Sequence, residues 1–175
     1  MAKFGPAFEK MILDEGGYSL HEVEGDNGGM TYAGIARKFH PHWEGWRILD
    51  DKDYENESLT DLVQSFYKEH YWDKIRGDDI KDQKIAGSIF NFAVNSGIRV
   101  TSKMVQLMIS TTPDGRFGDK SVKALNEASF TDDDDVFFNL VFFVMKVKRY
   151  AEICNKNRSQ SKFLLGWLNR TIRRL

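Results

Sequence analysis

Apolar residues along the 175-residue chain recur mostly at three- and four-residue intervals, the spacing of a helix with one buried face. Phe4, Ala7, Phe8, Met11 and Ile12 make one such face, with Pro6 tolerated in the first turn and Gly16–Gly17 as the stop. From Tyr18 to Ala36 the period breaks into short pieces around "GDNGG", a turn signal that suits a small β-hairpin. A polar loop carrying Trp43, Trp46 and "DDKDYENES" follows. Behind it Leu59, Leu62, Val63, Phe66 and Tyr67 predict a helix opened by a Ser58–Asp61 capping box.

The second half keeps the helical period. Ile85, Ile89 and Ala93 beside Ala86, Phe90 and Val94 predict a helix that stops at Gly97; Val100, Met104, Val105 and Met108 predict another. "TPDGRFGDKS" reads as a turn into the short helix of Val122 and Leu125. Thr131 and the four aspartates after it have the form of an N-cap with acids in the first turn, where the helix dipole favours them. That helix runs through "VFFNLVFFVMKV" (Val136 to Val147) toward Cys154. The apolar stretch is too short for the roughly 20 residues of a membrane span, so it reads as a buried core helix. Phe163, Leu164, Trp167, Leu168 and Ile172 mark a last amphipathic helix, with Arg170, Arg173 and Arg174 elsewhere on it. With no long linker and no internal repeat, the fold class is mainly α (α+β), one domain with a small β-hairpin after the first helix.

Composition adds limits to this picture. The chain is 41% hydrophobic and 29% charged, as in ordinary globular proteins. Its net charge of −1 conceals an asymmetry. Residues 1–110 hold 13 Lys/Arg and 18 Asp/Glu, a balance of −5, whereas residues 111–175 hold 12 and 8, a balance of +4. A basic last third suits an anionic partner such as cell-wall polymer, membrane headgroups or nucleic acid, although a solvated basic face accounts for it equally well. Nucleic-acid motifs are lacking. Cys154 is the only cysteine, which excludes an intrachain disulfide, and no evident base accompanies it for nucleophilic work. His21, His40, His42 and His70 show no zinc-site spacing, so neither a metal nor a cofactor is expected. The opening "MAKFGPAFEKMILDEGG" has too short an apolar run for a secretory signal, which leads to the expectation of synthesis in the cytoplasm and later release or export.

One carboxylate stands out. Glu15 lies four residues after Met11 and seven after Phe8, so it continues the apolar face. Partial burial there disfavours the ionised form and raises the pKa, and each unit is worth about 1.4 kcal/mol between protonation states. A carboxyl kept protonated near neutral pH is what a general acid requires. Spacing alone also allows a plainer account, a frayed last turn with Glu15 in water. Asp26 in "GDNGG" and Thr31 in "GGMTYAGI" supply a second carboxylate and a hydroxyl. Glycosidic cleavage needs an acid for the leaving oxygen and a group that manages positive charge or aims a water. Asp26 with Thr31 suits the second task, although aspartate in a turn and threonine in a strand are each ordinary.

"EGGY" followed by "DNGGMTYAGIA" closely resembles the signature of glycoside hydrolase family 108, N-acetylmuramidases also labelled secretion activator proteins. "FYKEHYWDKI", "FNFAVNSG", "VQLMI", "DGRFGDKSVKALN" and "RYAEICNKN" with "FLLGWLNR" match in order, covering nearly the whole chain. The resemblance implies a lysozyme-like fold and hydrolysis of the β-1,4 bond between N-acetylmuramic acid and N-acetylglucosamine in peptidoglycan strands. It implies that Glu15 is the catalytic acid. The Glu15, Asp26, Thr31 order also looks like the catalytic trio of phage-type lysozymes, a looser analogy because loop lengths differ. Residues 1–97 then form a lysozyme-like catalytic region, and residues 98–175 a peptidoglycan-binding helical region packed with it as one compact domain. Action at the cell wall or periplasm, as a monomer without stable membrane insertion, follows. One departure is Asn27, where family members often carry proline.

Three further residues are candidates for substrate contact. Tyr18 and Tyr32 flank the catalytic stretch and suit stacking on sugar rings, or plain packing. Asn95, one turn after Asn91, suits either an N-acetyl contact or a helix-end role. Trp72 in "HYWDKI" reads as core before sugar platform. Two other functional classes stay open: a wall-binding or secretion-accessory protein that does not cleave, and a lytic transglycosylase that leaves anhydro ends.

Overall fold

The computed structural model describes residues 1–14, 16–22, 30–128 and 134–173. Helix α1 (Phe4–Asp14) is followed by strands β1 (Leu20–Glu22), β2 (Met30–Tyr32) and β3 (Ile35–Ala36). Short helix α2 (Gly45–Asp50) leads to α3 (Ser58–Tyr67), which runs on into a wide π-type turn over Lys68–Trp72. Then come α4 (Gln83–Ser96), α5 (Ile98–Met108), α6 (Asp119–Glu127), α7 (Asp134–Lys156) and α8 (Leu164–Ile172). The expected hairpin is a three-stranded antiparallel sheet in the order β1-β2-β3. Ala33 and Gly34, both at positive φ (49° and 80°), close its second turn in two residues.

The core follows the helical period. Ala7, Phe8, Met11 and Ile12 are buried on α1; Leu59, Val63, Phe66 and Tyr67 on α3; Ile85, Ala86, Ile89, Phe90 and Ala93 on α4. Phe4 meets Trp72 and Phe90 edge-on, each at 5.8 Å between ring centres. Helices α1 and α4 run side by side in the same direction. Near their starts Lys3 N–H donates to Gln83 Oε1 (2.8 Å) and Gln83 Nε2 to the Lys3 carbonyl (3.0 Å), and further on Met11 and Asn91 line a common cavity. Both helices therefore run out at the same end of the molecule.

The second half packs on the first through α4. Phe92 meets Phe142 at 5.3 Å, and the buried Lys146 ammonium lies over both rings, 4.2 Å from the Phe142 centre. Gln106, buried on α5, fixes the "TPDGRFGDKS" turn: its Nε2 donates to Asp114 Oδ1 (2.8 Å) and its Oε1 accepts from Gly115 N–H (2.9 Å).

Three expectations are corrected. The Ser58–Asp61 capping box is not formed, because the helix begins at Ser58 itself: Glu57 stands at the N-cap without a side-chain bond, and Asn56 Oδ1 accepts the Ser58 N–H at 3.0 Å. The Val136–Val147 stretch is a core helix on one side only. Phe138 and Phe142 are buried, whereas Val136, Leu140 and Val144 are each more than half exposed. Residues Gly45–Asp50, read as loop, form a helix held by Arg37, which pairs with Asp50 through two bonds of 2.6 and 2.8 Å. The Thr131 cap lies outside the described residues.

Candidate active site

The site is assembled where α1 gives way to the sheet. Gly16 N–H donates to the Leu13 carbonyl (3.3 Å) and Gly17 N–H to the Ile12 carbonyl (2.9 Å), the paired bonds of a Schellman closure. Both glycines hold positive φ, 91° and 74°, which L side chains adopt only with strain. The paired glycines of "EGGY" are thus first a requirement of the helix end.

A chain of contacts then leads into the sheet. Ser19 Oγ donates to the Gly16 carbonyl (3.2 Å) and stands 2.8 Å from His21 Nε2. The Ser19 carbonyl accepts from Ala33 N–H at 3.1 Å. His21 is paired across the ladder with Thr31, so their side chains share one face of the sheet. Thr31 is half-buried and His21 exposed. This face carries a hydroxyl and an imidazole able to hold a water or a sugar hydroxyl, tied by Ser19 to the backbone that ends α1. His21 is an addition to the residues read from sequence; its pairing with Thr31 depends on strand register, which a turn signal by itself does not supply.

The two tyrosines lie apart in exposure. Tyr32 occupies the opposite sheet face, 6% exposed, its ring stacked on Trp43 with centres 6.2 Å apart. Burial pushes its phenol pKa above the ordinary value, and the neighbouring Tyr18 adds to this. Tyr18 is 41% exposed. Burial raises its phenol too, while hydrogen bonds from Gln64 and Thr60 on α3 pull the other way. Of this pair Tyr18 is the one that a ligand in solvent can reach.

Asn95 is at the far end of α4, exposed, with both ends of its amide engaged. Nδ2 donates to the Asn91 carbonyl (2.9 Å), and Oδ1 accepts from Arg170 on α8. Trp72 is fully buried, its Nε1 donating to Asp78 Oδ1 at 2.8 Å. Among the described residues no three metal-ligating side chains gather in one place. Nor, among them, is any helix long and apolar enough to cross a membrane. Glu15 and Asp26 lie outside the described residues.

Comparison with known proteins agrees with this frame. The structure of Brucella abortus SagA matches with a TM-score of 0.67 at 24% sequence identity, over 98% of this chain and 90% of that one, a likeness of fold. No curated protein matches. Residues 8–97 match the family model for glycosyl hydrolase 108, and residues 98–172 match a model described as a predicted peptidoglycan domain. Since the first match takes in more than half of a chain whose fold is mainly α and lysozyme-like, the chain belongs to the glycosyl hydrolase 108 family.

Proposed function

We propose that the chain is an N-acetylmuramidase that hydrolyses the β-1,4 bond between N-acetylmuramic acid and N-acetylglucosamine, with Glu15 as general acid. Asp26, with Thr31, orients the attacking water or offsets the charge that develops on the sugar. The reading is carried by one observation: the sheet face bearing Thr31 is tied through Ser19 to the Gly16 carbonyl, one residue past Glu15. The hydroxyl thereby belongs to the same local assembly as the end of α1. The family match adds the reaction class, and the predicted peptidoglycan domain adds the polymer. Tyr18 is the aromatic face available for a sugar ring. The place of action is the cell wall.

Glu15→Gln keeps the shape of the side chain and removes its proton. It should lower the rate of clearing of purified walls by about 10²–10⁴-fold, the usual contribution of a positioned acid. A parental rate in that variant would refute the assignment. Mass spectrometry of the soluble fragments separates the remaining classes. Reducing muramic ends mark a hydrolase, anhydro-muramic ends a lytic transglycosylase, and retention on walls without released fragments a binding protein.

A further inference from the structure

A cavity of 500 Å³ lies between the segment that follows β3 and helix α3 with its π-type turn. Its lining is rich in flat rings. His40 meets Phe66 edge-on at 4.6 Å between ring centres, and Phe66 stacks on His70 at 4.4 Å. Trp43 joins them, held by its Nε1 donating to the Leu62 carbonyl at 3.4 Å, and Phe39 lines the cavity while 71% exposed. Glu44 and Glu69, both exposed, add two carboxylates. Burial, and then the neighbouring His70, push the His40 pKa below its ordinary value. At neutral pH that ring is therefore uncharged and offers one donor and one acceptor nitrogen.

Flat rings beside carboxylates are the complement of an uncharged sugar ring. The C–H face of a pyranose is apolar and packs on an aromatic face, while the hydroxyls at its edge donate to carboxylate oxygens in charge-assisted bonds. Phe39, open to solvent, gives a broad platform and not the closed cage that suits an ammonium group. The volume lies within the roughly 300–1,000 Å³ of pockets that enclose whole ligands, so a complete sugar unit fits. The cavity also continues from the candidate active site: Trp43 stacks on Tyr32, and Tyr32 neighbours Tyr18, the ring offered to a sugar above. A polymer held at two points of one surface is bound more tightly than at either alone.

We propose that this cavity is a second saccharide-binding site, which holds an N-acetylglucosamine unit of the glycan strand apart from the bond that is cleaved. The inference rests on the peptidoglycan reading above and adds a place where the strand is anchored.

Proton–carbon NMR of the histidine rings tests this on the whole parental protein, because the chain has four histidines and they divide between the two places. His40, His42 and His70 line the cavity, whereas His21 stands on the sheet face with Thr31. Adding the tetramer of N-acetylglucosamine at constant pH should move the signals of His40, His42 or His70 until they saturate. Phe39→Ala, at an exposed side chain, should weaken the tetramer about three- to tenfold by the same signals, with the parental circular dichroism kept. Movement of His21 alone puts the tetramer at the active site only and overturns the proposal. Static signals from all four rings, or unchanged affinity in a folded Phe39→Ala, overturn it too. Lysine amide is the rival probe: if it moves the cavity signals and the tetramer does not, the site takes an ammonium group and the proposal fails. Release of reducing ends from walls reads the glycosidase separately. A protein whose cavity signals respond yet which releases none refutes the muramidase assignment alone, and release without a cavity response refutes this proposal alone.

Discussion

Tyr67 shows how much one side chain sets near the site. Its hydroxyl crosses from α3 to donate at 2.8 Å to the carbonyl of Ala33, which is 1% exposed and held at positive φ in the second turn of the sheet. Ala33 also donates to Ser19, so the same turn governs the segment that carries Thr31 and His21. Tyr67→Phe leaves a buried carbonyl without its donor and should cost about 1–3 kcal/mol in urea unfolding. At this scale the sequence was informative where chemistry is local. The Gly16–Gly17 stop is legible because a helix end needs positive φ there. Asn95 was legible as a candidate, but its bond to Arg170, 75 positions away, was not, because only tertiary folding brings α8 to the end of α4. Tyr18 and Tyr32 looked alike in sequence; Tyr32 lies in β2 under Trp43 and is a core ring, whereas Tyr18 precedes β1 and is an open one.

Elements were legible in proportion to their length and period. Helices α1, α3, α4, α5 and α7 declare themselves through repeated apolar spacing, which long segments reinforce. Helix α2 did not, because six residues with a single turn's worth of pattern look like loop until Arg37, just past β3, pairs with Asp50 and lies over the Trp46 ring. The exposed side of α7 was hidden by composition: with apolar residues on both faces, period alone does not say which one is buried. Close approach between elements is equally silent in sequence, yet it sets sharp tolerances. A Cβ on Gly77 would come within 2.2 Å of the Trp72 indole, which is fully buried and hydrogen-bonded to Asp78. Gly77→Ala should therefore destabilise by about 1–3 kcal/mol through overpacking, visible as a lower urea midpoint with an unchanged slope. The indole has no space into which to retreat.

Across the whole molecule, the stretch matched to the predicted peptidoglycan domain shares its core with the stretch matched to the hydrolase. Phe92 and Phe142 meet across that seam, and Lys146 caps both rings. Phe142→Ala should cost about 3–5 kcal/mol, and calorimetry should show both stretches unfolding in one transition at a lowered temperature. Two separated transitions, with the first half unshifted, would show that the seam carries no cooperativity. The charge asymmetry read from composition acquires a location at this scale, since Arg149 and Arg170 of the basic last third stand together beside the end of α4.

Cys154, 6% exposed on α7 a few residues beyond Arg149, is the chain's single thiol. A maleimide reaches it only when α7 and its neighbours part, so the labelling rate is a clock for breathing of the basic half. Because no second thiol competes, that clock is read without altering a single residue.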